Sequence, residues 1–235
     1  MAVRTTKFPQ HIIARGLAVS SGSRNQFHST TAAFILFAPK PANRFPQCEI
    51  LADVYEGTRV TPQPKGQIGI NAPLPCALEH AMKFIDDSTF HPFRVVGLNN
   101  VRLDEYPSAA LREALVNAVG HRNYEDTAWK IFIRVFTDRI EISSPGYPLK
   151  PLTPARLRRG NYRPCSHNPL IAQALATLSF MEQRGTGFFR MRDAMLNHGL
   201  NEPKIDQQDG FFVITLPGPA GNFNQITDLP GISLN

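Results

Sequence analysis

Glu113, Asn117 and His121 stand four residues apart in Glu113-Ala-Leu-Val-Asn117-Ala-Val-Gly-His121. At about 100° per residue of an α-helix, side chains at i, i+4 and i+8 drift by about 80° in all, so the three share one stripe. A carboxylate can take a proton from water, a carboxamide oxygen can ligate a hard cation, and an imidazole can move protons near neutral pH. Further along comes Glu182-Gln-Arg-Gly-Thr-Gly187, a glycine turn that opens a helix. Free backbone N–H groups and the helix dipole can hold an anion there. Taken singly, each feature is ordinary: a surface carboxylate, a helix cap, a helix-start turn. Their conjunction points to nucleotide chemistry.

The elements that must position these residues follow from periodicity. Pro107 opens the helix carrying Glu113, and Leu111, Ala114, Leu115, Ala118 and Val119 give it a core face. Gly120 and Asn123 mark its end. Ala128 to Phe136 alternates, with Trp129, Ile131, Ile133 and Val135 on the core side, and Thr137-Asp138 turns it into a hairpin with Arg139–Ser143. Pro145 to Arg163 reads as a long stretch without regular structure, bearing Arg156, Arg158, Arg159 and Arg163. Those arginines serve as a lid on phosphates, as a nucleic-acid contact or as plain solvated surface. Asn168-Pro169 starts a helix to about Phe180. The Gly185-Thr186-Gly187 turn leads into another, Phe188 to Asn197, closed by His198-Gly199, and Phe211 to Leu216 is a last strand.

Upstream, Thr31 to Ala38 and Cys48 to Tyr55 read as strands, Pro62 to Gly69 as a connector, Leu74 to Asp87 as a helix, and Phe90 to Leu103 as one or two strands around Gly97. Residues 1–28 are rich in Ser and Thr and carry arginine without acid, a composition shared by disordered leaders and organellar transit peptides. We read them as a disordered leader.

Hydrophobic residues make up 42% of the chain, and the mean hydropathy of −0.21 is that of an ordinary soluble protein. No apolar run approaches the roughly 18–20 residues that span a bilayer. The three cysteines are widely spaced, which fits a reducing, cytoplasmic setting. The net charge of +6 is concentrated in the first 48 residues and in the arginine cluster. The chain has no Gly-x-x-x-x-Gly-Lys-Ser/Thr loop, no zinc-ligand spacing and no Gly-x-Ser-x-Gly elbow, so a P-loop motor, a zinc enzyme and a serine hydrolase are unsupported.

The stretches ALREALVNAVGHRNY, DRIEISSPG, HNPLIAQAL and MEQRGTGFFRMRDAM resemble the RecG-helicase-C-terminal-like module of the histidine-kinase-like (GHKL, Bergerat) ATP-binding clan. In many relatives that module follows an AlbA/Schlafen-type domain in proteins described as transcriptional regulators; no such domain is recognisable in this sequence. The resemblance implies that Glu113, Asn117 and His121 lie on the N-box helix, Glu113 as general base and Asn117 as Mg²⁺ ligand. It places Gly185, Thr186 and Gly187 in the glycine box, residues 145–165 in the nucleotide lid, and Ser144 and Gly146 beside the nucleotide. The chain departs from the clan in lacking the Asp of the Asp-x-Gly-x-Gly adenine box, where it reads Ser143-Ser144-Pro145-Gly146-Tyr147. His167 replaces an Arg before Asn168-Pro169, and Asn123 replaces an Asp after the N-box.

The expected fold is α+β, a two-layer sandwich of the Bergerat type with a mixed, mostly antiparallel sheet and helices on one face. The expected divisions are a disordered basic leader (1–30), an αβ connector segment (31–105), an ATP-binding domain (106–218) and a flexible tail (219–235). The expected function is ATP binding with slow Mg²⁺-dependent hydrolysis. The alternative is a non-catalytic nucleotide-sensing or homodimerising module of a regulator that meets DNA through a missing or separate domain. No membrane partner is expected.

Overall fold

The computed structural model describes residues 12–20, 27–160, 162–182 and 185–227. From the N-terminus, β1 (Ala18–Ser20) pairs antiparallel with β2 (Phe27–Ser29), and α1 (Thr31–Phe37) follows. Next come β3 (Ile50–Val54), β4 (Gly66–Ile70), α2 (Leu74–Ser88) and a separate hairpin of β5 (Phe93–Val96) with β6 (Asn99–Arg102). Then follow α3 (Ser108–His121), β7 (Ile131–Val135), β8 (Arg139–Pro145), α4 (Pro154–Arg159), α5 (Pro169–Thr177) and α6 (Gly187–Asn197). The last strands are β9 (Lys204–Gln208) and β10 (Phe211–Pro217).

Six strands form one sheet in the order β4-β3-β7-β8-β10-β9. Every neighbouring pair is antiparallel except β3 with β7, which run parallel with Ile50 beside Ile131 and Val54 beside Val135. Alternation decides the two faces. Ile50, Ala52, Ile131, Ile133, Ile140, Ile142, Ile214 and Leu216 are buried beneath the helices. Leu51, Phe132, Ser143 and Val213 lie in register on the opposite face. The molecule is thus the two-layer α+β sandwich read from the sequence. The sheet also runs across the expected 105/106 boundary, since β3 and β4 belong to it.

At the centre of the helical layer lies α3. Ala110, Leu111, Ala114, Leu115, Val116, Ala118, Val119 and Gly120 are all buried, so its apolar surface wraps most of the way round. Glu113 and Asn117 interrupt it as a half-buried polar stripe.

Several local readings are corrected. Thr31 to Ala38 is helical, not a strand: Thr30 accepts from Ala33 N–H at 3.3 Å as an N-cap, and Ile35 and Leu36 are buried. A short continuous apolar run does not itself distinguish the two states. The Pro62–Gly69 connector runs into β4, an edge strand whose glycines dilute its strand signal. Polar β9 was not anticipated, for Ile205 is its one buried residue and edge strands are commonly charged. The lid stretch contains α4, capped by Thr153 at its start and by left-handed Gly160 (φ 69°) at its end. Trp129, assigned to the core, is 52% exposed at the rim of the open sheet face.

Most of the expected leader (1–11 and 21–26) and the end of the expected tail (228–235) lie outside the described residues. The described part of the tail is docked. Ile226 is buried, and the Arg94 guanidinium donates to the carbonyls of Phe223 (2.8 Å) and Ile226 (2.7 Å).

Candidate functional site

A cavity of about 550 Å³ opens between α3, the 144–169 stretch, α5 and the start of α6, with Ile205 and Ile214 at its base. Glu113, Asn117, His121, Ser144, Gly146, Gly185 and Gly187 all line it. Thr186 does not: it is the N-cap residue of α6, and its carbonyl accepts from Arg190 N–H at 3.0 Å.

Glu113 and Asn117 meet on the wall as their spacing requires. Asn117 Nδ2 donates to Glu113 Oε1 at 3.0 Å, which leaves the amide oxygen as the group able to ligate a cation. Gly187 packs directly against this pair. A Cβ there would come within 2.2 Å of Glu113 Oε1 and 3.3 Å of Asn117 Nδ2. The bare backbone is therefore what lets the start of α6 approach the carboxylate. Gly185, at φ 71°, makes the turn before it, and the Tyr162 ring and Pro164 of the lid lie on it.

Glu113 Oε2 is also engaged. Arg190 Nη2 donates to it at 2.7 Å, while Arg190 Nη1 reaches Glu182 Oε1 at 2.7 Å. The sequence singles out neither Arg190 nor a role for Glu182. Arg190 follows Gly187 by one helical turn, and that spacing is the signal that could have found it.

The carbonyls at the end of α3 are held by side chains from the cavity rim. Ser144 Oγ donates to Ala118 O (2.8 Å), Ser166 Oγ to Gly120 O (2.9 Å), and Asn168 Nδ2 to Arg122 O (2.6 Å). Helix ends leave such groups unpaired, and these bonds fasten both roots of the lid to the helix that carries Glu113. Ser144 thus spends its hydroxyl proton on the backbone. Gly146, at φ 99°, donates to Gly210 O at 2.8 Å and packs on Asn123, where a Cβ would lie 2.9 Å from that residue's Cβ.

His121 lines the cavity wall and keeps part of its ring exposed to solvent. Desolvation within that wall lowers its pKa from the ordinary value, and nearby His167 lowers it further. His167 in turn uses Nε2 as a donor to Tyr147 O at 3.1 Å. Burial raises the pKa of Tyr162, assisted by the charge of Glu113. The lid turns Leu157 toward the cavity, whereas Arg156, Arg158 and Arg159 are exposed and Arg158 donates to Ile205 O at 3.1 Å.

Arg122 is fully buried and anchors the following loop. Its guanidinium donates to Asn123 O (2.6 Å), Asp126 O (3.0 Å) and Trp129 O, and lies over the Tyr124 ring. Desolvation lowers its pKa, and Tyr124 opposes that shift.

Residues 129–216 match the family model described as "Putative ATP-dependent DNA helicase recG C-terminal". The match takes in the sheet from β7 onward and the glycine turn, and Glu113, Asn117 and His121 lie outside it. No curated protein matches the chain. Among solved structures, the DIP2311 protein of Corynebacterium diphtheriae shares the fold with a TM-score of 0.70 at 21% identity. The alignment covers 88% of this chain and 40% of that one, so this chain spans well under half the length of the structure it resembles. The fold is shared, and over residues 129–216 the sequence is similar to the RecG C-terminal-like module.

Proposed function

We propose that this chain is an ATP-binding module of the GHKL type that binds Mg²⁺–ATP in the cavity between α3 and α6. The observation that carries the reading is the convergence of Glu113, Asn117 and the bare backbone of Gly187 on one wall of that cavity. Its volume of about 550 Å³ is within the range of small-molecule sites. The donor set suits the group: Mg²⁺ prefers a few oxygen ligands, and Asn117 offers an amide oxygen beside a carboxylate. A magnesium ion bound there would neutralise phosphate charge. Gly185 and Gly187 would let the backbone approach the phosphates, and Glu113 would accept a proton from water. The base would rest among Leu152, Leu157, Phe212 and Ile214. With no adenine-box Asp, that apolar slot holds a purine by burial rather than by reading its amino group.

A second reading is favoured by one observation. Both oxygens of Glu113 are already engaged, by Asn117 and by Arg190, so the base is occupied in this arrangement. Such a site would bind and sense nucleotide without turning it over, and contact with DNA would belong to another domain. Among the described residues no helix is long and apolar enough to cross a membrane.

Calorimetric titration of ATP, with and without Mg²⁺, into the wild-type chain and Asn117→Ala tests the site. Mg²⁺-dependent binding that weakens about tenfold or more on the substitution is expected. Absence of binding at millimolar ATP would refute the nucleotide reading. Phosphate release separates the two versions: turnover that drops at least about 10²-fold in Glu113→Gln marks an ATPase, and none in the wild type marks a sensor.

A further inference from the structure

Arg190 holds two carboxylates from separate parts of the chain. Nη2 takes Glu113 on α3 and Nη1 takes Glu182 ahead of the glycine turn, each at 2.7 Å. The side chain of Glu113 is 11% exposed and that of Arg190 38%, so the guanidinium sits at the edge of solvent with the carboxylate behind it. Among the described residues its buried Nε has no hydrogen-bond partner, which leaves one donor of the fork unspent.

The charges around the cavity give this arrangement its meaning. Glu113 and Glu182 both line the glycine end, and the described lining residues include no lysine or arginine. As they stand, the two carboxylates would repel a polyphosphate laid beside Gly187. Arg190 is the cation bonded to both. A guanidinium fork fits phosphate as well as carboxylate, and a terminal phosphate offers more charge and more acceptors than Glu113 does. Glu182 would keep hold of the other nitrogen while the first changes partner.

We propose that Arg190 is a two-position latch that reads the terminal phosphate of a nucleoside triphosphate. Without ligand it is held by Glu113 and Glu182; with a triphosphate bound it passes from Glu113 to the terminal phosphate. The transfer frees Glu113 Oε2 and balances the charge the ligand brings. A diphosphate leaves the latch on Glu113. The site therefore takes triphosphates in preference to diphosphates, and it exposes its proton acceptor when a triphosphate is present. This inference rests on the nucleotide reading of the cavity.

The test is calorimetric titration of ATP and ADP, in Mg²⁺, into the full chain as wild type, Arg190→Gln and Arg190→Lys, with circular dichroism to verify folding. Arg190→Gln should lose at least about tenfold more affinity for ATP than for ADP. Arg190→Lys, which keeps the charge without the fork, should lose an intermediate amount. Equal losses for the two nucleotides would mean a structural role for Arg190 and overturn the latch. So would a folded variant with wild-type affinity for ATP. In both cases the wild type still binds nucleotide, and the reading of the cavity stands. A wild type that binds neither nucleotide overturns the reading and the latch together. If Arg190→Gln does not fold, an unchanged ATP-to-ADP ratio in Arg190→Lys overturns the latch by itself.

Discussion

At the scale of single residues, the cavity depends on groups whose surroundings set their charge. His121 is one. Its pKa lies below the ordinary value of about 6.5 because the wall desolvates the imidazolium and His167 faces it. Above that value the ring is neutral in the folded and unfolded chains alike. As the pH falls through it, the unfolded chain takes the proton first, and stability is lost until the folded ring also protonates. His121→Gln is therefore expected to flatten the fall in melting temperature between about pH 7 and pH 5. Thermal melts of both proteins across that window check it, and parallel slopes would mean that His121 does not contribute. Glu113 and Asn117 could be read from the sequence because helical spacing alone puts them side by side. Arg190 could not be paired with Glu113 in the same way. Its partner lies 77 positions away, and only the packing of α6 on α3 brings the two together.

At the scale of elements, the lid is held at several points. Gly160 ends α4 at φ 69°, and a Cβ there would fall 1.8 Å from the Phe189 ring of α6. Gly160→Ala would combine left-handed backbone strain with a steric clash, and is expected to cost about 1–3 kcal/mol. Urea unfolding measures this, and a midpoint equal to that of the wild type would show that neither the left-handed backbone nor the Phe189 contact constrains this position. Elements with a strong period were readable in advance: α2 from Leu78, Ala81 and Ile85, and the β7–β8 hairpin from its isoleucines. Those that failed lacked a period or shared one. Thr31 to Phe37 is apolar almost throughout, so only the Thr30 cap and its packing make it a helix. In β4, Gly66, Gln67 and Gly69 give no alternation, and β4 exists because β3 offers it an edge.

At the scale of the whole molecule, the sheet has one covered face and one open one. Trp129, the sole tryptophan, contacts Phe211 edge-on, and Phe211 packs likewise on Phe132. Those rings lie across the sheet from Phe212 and Ile214, which line the cavity. Tryptophan emission is thus expected to be quenched readily by acrylamide in the folded protein and to be nearly unchanged by ATP. A large ATP-induced shift would require the ligand to reach the open face or to reshape the sheet. The sandwich itself was legible in the sequence, since alternating strands followed by amphipathic helices admit few arrangements. The membership of β3 and β4 in the same sheet was not, because a parallel pairing across 81 positions leaves no local trace.

That parallel pairing bears on inheritance. The sheet is closed by strands from before and after α3, and the cavity is assembled from Glu113 and Asn117 on one side of residue 129 and Gly185 and Gly187 on the other. A recombination event that carried residues 129–216 alone into another gene would deliver a glycine turn without the carboxylate it packs against, and a β7 edge without its neighbour. Any side chain placed at position 187 would have to be met by a smaller group at position 113, although the chain separates the two by dozens of residues.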